Sequence, residues 1–92
     1  MYDVAIIGGG PAGTAAGVYA ARKQLKSVLI TEEFGGQSVV SPDIQNWIGT
    51  PHISGDDLAK SLEAHVREYA NDGVDIVTGV RVSNVANDGD YF

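Results

Sequence analysis

The sequence has no cysteine, one tryptophan, one methionine and three prolines among its 92 residues. Without cysteine this stretch can form no disulfide, hold no thiolate-bound metal and offer no thiol nucleophile. Long apolar runs are missing as well. None approaches the roughly 18 residues that a membrane span needs, and the N-terminus has neither the basic region nor the apolar segment of a signal peptide. Positive charge is scarce: six Lys and Arg stand against twelve Asp and Glu, for a net charge of −6, and the six are scattered. Nucleic acid and membrane are therefore not expected partners, and the acidity reads as the surface of a soluble protein, cytoplasmic by default. His52 and His65 lack partners at metal-ligating spacing, so no metal is expected, and His65 reads as a helix-face residue.

What the sequence does have is glycine, and most informatively near its start. Asp3 to Ile7 reads D-V-A-I-I, a short β-branched run of the kind found in buried parallel strands, and Gly8 ends it. Pro11 suits the first turn of a helix, where a missing N–H costs nothing, and this helix is predicted to run to about Lys23. Its Ala12, Ala15, Ala16, Gly17 and Ala20 carry little bulk, so its backbone can lie close to a sheet. Ser27 to Thr31, S-V-L-I-T, reads as a second strand. Strand, helix and strand within about 30 residues make a right-handed βαβ unit.

Glu32 to Gly55 reads as loop, broken by EEFGGQ, SPD and GTP. Ser54 is placed to cap a second helix, with Asp57 three residues on. Leu58, Leu62, Val66 and Tyr69 give that helix one apolar face, and Gly73 is placed to end it. Val74 to Val77 reads as a third strand. Val80, Val82 and Val85 nearly alternate, which predicts a further strand, and Asn87-Asp88-Gly89 signals a hairpin turn with only Asp90, Tyr91 and Phe92 after it. The expected fold is α/β, a Rossmann-like start with a parallel sheet. A three-stranded parallel sheet with an unpaired edge is a poor free-standing design. Residues 1–92 are thus expected to be the N-terminal segment of a larger domain, with the remainder of the fold, or another chain, as partner.

Gly8, Gly10 and Gly13 spell G-x-G-x-x-G between the first strand and the first helix. Gly8 permits the tight turn out of the strand, position 10 must leave room for a pyrophosphate, and Gly13 lets helix and strand pack closely. The helix N-terminus adds unpaired N–H groups and partial positive charge. A dinucleotide is the expected ligand; a tight glycine-rich turn without a ligand is the bland alternative. The pattern also calls for an acid at the end of the second strand, to take the ribose hydroxyls. Thr31 occupies that place and Glu32 and Glu33 follow it, either as ribose ligands or as solvated loop charges. No basic residue adjoins this point to meet a 2′-phosphate, which speaks against NADP here but leaves NAD and FAD open.

GGGPAG, then FGGQ at Phe34 to Gln37, then DIQNWIG at Asp43 to Gly49, in this order and spacing, resemble the bacterial thioredoxin reductases and the flavoprotein subunit of alkyl hydroperoxide reductase. The ungapped TEEFGGQ and AHVREY at Ala64 to Tyr69 lean toward the latter. The resemblance covers the whole chain. It implies FAD as cofactor and a flavin-dependent pyridine nucleotide–disulfide oxidoreductase, a homodimer, as parent enzyme. By position, Gly9, Gly10, Pro11 and Ala12 would touch the pyrophosphate, and Thr31 and Glu32 would lie by the adenosine ribose. Gly36 and Gln37 would lie along the extended cofactor toward the flavin, Asn46 would hydrogen-bond near the flavin, and the Val82 backbone would meet the adenine. Physical chemistry supports part of this: Gly35-Gly36 lets backbone pass close to a ligand, and Gln37 and Asn46 offer both donors and acceptors. Trp47 reads as a packing residue. The relatives' Cys-x-x-Cys pair and NAD(P)H domain would fall beyond residue 92, so no catalytic residue is expected within it, and the segment alone is expected to be inactive. A non-catalytic Rossmann-like nucleotide-binding module and a ferredoxin–NADP reductase of similar architecture are the competing readings.

Overall fold

The computed structural model describes residues 1–87 and Gly89, with Gln37 and Ser38 described by their backbone alone. Three parallel strands, β1 (Val4–Gly9), β2 (Ser27–Phe34) and β3 (Val74–Thr78), form one sheet in the order β1-β2-β3. Helix α1 (Pro11–Arg22) connects the first two, and α2 (Gly55–Arg67) lies on the connection between the second and third. The register is continuous from Val4↔Ser27 to Ile7↔Ile30 and from Ser27↔Val74 to Thr31↔Thr78. Two right-handed crossovers stepping in the same direction put both helices on one face of the sheet, and there they touch each other. A Cβ on Gly17 of α1 would stand 2.9 Å from Val66 of α2 and 3.4 Å from Leu29 of β2. The small residues of α1 are what allow this three-way approach.

The core lies between that helical layer and the sheet: Ile6, Val18, Ala21, Leu29, Phe34, Val66 and Val74, with Leu29, Val66 and Val74 wholly inaccessible. Ser54 caps α2, its hydroxyl accepting from the Asp57 amide at 3.1 Å. Leu58, Ala59 and Val66 carry the helix's buried face.

The structure corrects the sequence reading in five places. Strand β1 is buried on one face only: Ile6 is 7% exposed while Ile7 is 55% exposed, because among the described residues a single helical layer covers the sheet. Strand β2 runs past Thr31 to Phe34, since beyond an irregularity after Ile7 the chain pairs Gly9 with Phe34. The stretch after it holds a short 3-10 helix, Gly36–Val40, and two antiparallel bridges, Ile44↔Ile53 and Trp47↔Thr50. Helix α2 ends at Arg67, so Tyr69 packs on the core from just past it, and Gly73, at φ +110°, turns the chain into β3 instead. Residues 80–87 form no strand. Their valines alternate only from 80 to 82, and Val80 and Val85 lie 46% and 58% exposed, with no strand paired alongside among the described residues. The hairpin expected from Asn87-Asp88-Gly89 into Asp90, Tyr91 and Phe92 lies outside the described residues. The outer edges of β1 and β3 are unpaired among the described residues.

Candidate functional site

The glycine loop is built by two different constraints. Gly13 is set by packing: a Cβ there would collide with the carbonyl of Gly8 at the end of β1. Gly10 is not. Its φ is −80°, open to any residue, and a Cβ would meet nothing closer than the Gly35 carbonyl oxygen at 3.8 Å and the Gly36 Cα at 3.9 Å. The protein's own packing therefore does not demand glycine at position 10, whereas a group lying against the loop would.

Helix α1 begins at this loop without a cap. Gly10 offers no side chain to it, Pro11 has no N–H, and no acid stands in its first turn. The Thr14 hydroxyl is buried and turned back, donating to the Gly10 carbonyl at 2.8 Å. Among the described residues the Ala12 and Gly13 amides of α1 have no side-chain acceptor, and the positive end of the helix dipole lies with them.

A cleft of about 440 Å³ opens beside this loop. Ile7 and Gly8 to Gly10 form one wall, Ile30 to Glu33 at the end of β2 a second, and Val80 to Val82, leaving β3, a third; Gly36 completes it. The Gly79 amide donates to the Glu32 carbonyl at 3.0 Å, which holds the third wall against the second, and the Gly35 amide donates to the Gly9 carbonyl at 2.9 Å, which holds Gly36 against the loop. Thr31 is 6% exposed, and its hydroxyl donates to the Glu33 carbonyl at 2.7 Å, leaving oxygen lone pairs as its remaining capacity. Glu32 and Glu33 are exposed on the rim.

Of the residues singled out in the sequence, the fold thus gathers Gly8, Gly9, Gly10, Thr31, Glu32, Gly36 and Val82 around one cleft. Ala12 and Gly13 lie in the adjoining first turn of α1. Pro11 lines a separate groove of about 350 Å³ between α1 and α2, with Trp47, His65 and Tyr69. Trp47 is 38% exposed there, so it packs in part. Gln37 follows Gly36 on the 3-10 helix. Asn46 stands exposed in the bridged loop, apart from the cleft. Sequence reading missed Arg81, which the fold carries to the cleft from far along the chain. No motif marks it; only the docking of the third strand beside the second brings it to the end of the sheet that holds the glycine loop.

A parallel sheet with a glycine-rich turn between its first strand and an uncapped helix defines the class: a Rossmann-like α/β fold. The chain belongs to the pyridine nucleotide-disulphide oxidoreductase family, which it matches over residues 2–92. It is 43% identical over 88 residues, 96% of its length, to an alkyl hydroperoxide reductase subunit of Escherichia coli strain K12, and covers 17% of that protein. It is 41% identical over 81 residues, 88% of its length, to an NADH dehydrogenase of Bacillus subtilis strain 168, covering 16% of it. Thioredoxin reductase from Streptococcus pyogenes superposes with a TM-score of 0.85 at 40% identity, over 98% of this chain and 28% of that one. These relatives bear out the resemblance read from GGGPAG, FGGQ and DIQNWIG. Among the described residues no helix is long and apolar enough to cross a membrane.

Proposed function

We propose that the chain is the FAD-binding segment of a flavin-dependent oxidoreductase that takes electrons from a reduced nicotinamide. The observation that carries this reading is the cleft itself, where a loop whose glycine at position 10 has no internal reason to be glycine meets an uncapped helix start and a strand end carrying Glu32. That donor set suits a pyrophosphate flanked by a ribose. The first-turn amides of α1 and the backbone of Gly9 and Gly10 hold the pyrophosphate, with the helix dipole favouring its charge. The Glu32 carboxylate accepts from the ribose hydroxyls, and the Thr31 oxygen adds a second acceptor. The backbone of Gly36 and Gln37 and the side chain of Asn46 lie along the remainder of the cofactor.

FAD supplies hydride acceptance and onward electron transfer when bound. The residues of this segment bind and orient; none is a thiol, so disulfide chemistry belongs to other parts of the parent protein. The names of the relatives, one a hydroperoxide reductase component and one an NADH dehydrogenase, support electron flow from a reduced nicotinamide, and a soluble homodimeric parent is part of the same reading.

The test is spectroscopic. The full-length protein, purified without added cofactor, is expected to carry flavin absorbance and to release FAD, not FMN, on denaturation. A colourless protein that also takes up no FAD from solution would refute the proposal.

A further inference from the structure

We propose that Asp72-Gly73, in the turn that leads from α2 into β3, is a site of spontaneous isomerisation, at which the main chain passes from the α-carbonyl of Asp72 to its side-chain carbonyl. The step is a ring closure between neighbouring residues. The Gly73 nitrogen loses its proton and attacks Cγ of the Asp72 carboxyl group; a Cγ–N bond forms, a Cγ–O bond breaks, and the oxygen leaves as water. Water then opens the succinimide ring at one carbonyl to return aspartate, or at the other to leave isoaspartate. No electrons are exchanged, and the isomer has the composition of the starting chain. Closure needs a short carboxylic side chain held by no partner, a backbone amide given to no acceptor, and a following residue without a side chain to crowd the ring.

Asp72 and Gly73 meet all three conditions, and both are exposed. Among the described residues the Asp72 carboxylate has no partner, while those of Asp3, Asp43, Asp56 and Asp75 are each held by a hydrogen bond or an ion pair. The amides of Asp72 and Val74 both donate to the Tyr69 carbonyl, at 2.9 and 3.2 Å, and the Gly73 carbonyl accepts from the Ser27 amide at 2.7 Å. The Gly73 amide between them has no acceptor among the described residues. Gly73 sits at φ +110°, where side chains are seldom carried, so the turn itself keeps glycine where ring closure needs it. By contrast Asp3, Asp43, Asp57 and Asp75 precede the bulky Val4, Ile44, Leu58 and Ile76. The turn lies at the end of the sheet opposite the cleft, since Val74 pairs with Ser27 at the start of β2, so the site is separate from the proposed cofactor site. Isoaspartate puts an extra methylene into the main chain just before β3, where the Gly73 carbonyl meets the Ser27 amide, and so disturbs the entry of β3 beside β2.

The experiment ages the full-length protein at neutral pH and physiological temperature, folded in one arm and unfolded in denaturant in the other. Trypsin then releases the peptide from Glu68 to Arg81, and electron-transfer fragmentation tells isoaspartate from aspartate at equal mass. The expected result is isoaspartate at Asp72 and none at Asp75, forming in the folded protein at a rate within an order of magnitude of that in the unfolded chain. Asp72→Glu should abolish it, because the ring would need one more member. Asp72→Asn should speed it, because ammonia leaves in place of water, and should show the small gain in mass of an amide turning into an acid. A folded rate more than an order of magnitude below the unfolded one would overturn the proposal, because the turn would then hold the amide and the carboxyl apart. Isoaspartate that persists in this peptide after Asp72→Glu would overturn it as well.

Discussion

The two helices of this segment begin in opposite ways. α2 is closed at its N-terminus: Ser54 caps it, Asp56 and Asp57 complement its dipole, and Asp56 pairs with Lys60 at 2.9 Å, which holds the Lys60 ammonium above its usual range. α1 has none of this; glycine stands at the cap, proline at the first position, and no acid in the first turn. Both helices lie on the same face of the same sheet and are of similar length, so the difference is not one of layer or size. A helix start that serves only the fold is satisfied from within the chain, as in α2. The start of α1, without side-chain acceptors among the described residues and beside a cleft, suits the anion of the proposed cofactor.

The comparison can be broken at either helix. The largest effect is expected from Gly10→Val, which should weaken FAD by about a hundredfold or more, roughly 3 kcal/mol. Gly10→Ala beside it should cost the folded protein no more than about 1 kcal/mol, the range for a poorer residue at a helix cap, because a Cβ there meets nothing closer than the Gly35 carbonyl oxygen at 3.8 Å. Gly13→Ala should behave the other way, costing about 1–3 kcal/mol of stability through its collision with the Gly8 carbonyl. Denaturant melts beside FAD titrations separate the two. Equal destabilisation by Gly10→Ala and Gly13→Ala would remove the distinction between a ligand glycine and a packing glycine.

Glu32→Gln should weaken FAD by about 1–3 kcal/mol, the scale of a charge-assisted hydrogen bond. No change on titration would return Glu32 to the role of a solvated rim charge. Thr31→Val belongs beside it, but its hydroxyl also serves the Glu33 carbonyl, so a stability loss of about 1 kcal/mol should accompany any loss of affinity. Ala12→Asp makes the first turn of α1 resemble that of α2. It should weaken FAD by roughly tenfold while leaving the apo protein as stable or up to about 1 kcal/mol more so, since an acid there repels a phosphate and suits the dipole. The smallest effect is expected at the closed helix: Ser54→Ala should cost about 1 kcal/mol of stability and leave FAD affinity where it was.

Much of this was legible in the residues. Glycine spacing, Pro11 and the alanines of the first helix specify the βαβ unit because each meets a local need that few other residues can meet. Ser54 with Asp57 specifies the start of α2 for the same reason. What escaped reading depends on pairing between distant segments. Glu32 and Glu33 read as loop by composition, yet they belong to β2 because Gly9 pairs with Phe34 beyond an irregularity. Val80, Val82 and Val85 read as a strand by alternation, yet a strand needs a neighbour, and none of the described residues provides one. Arg81 carried no local signal of function at all; its place in the cleft follows from β3 docking beside β2, which brings the residues after Thr78 against Glu32.

The central claim is that the anion seat is the open start of α1, and amide chemical shifts test it most directly. ADP titrated into isotope-labelled protein should move the amide resonances of Gly9, Gly10, Ala12 and Gly13 strongly and along one saturable curve, while those of Asp56, Asp57 and Leu58 at the capped start of α2 stay in place. Saturable shifts at α2 without shifts at α1, or no saturable shift at either, would contradict the account.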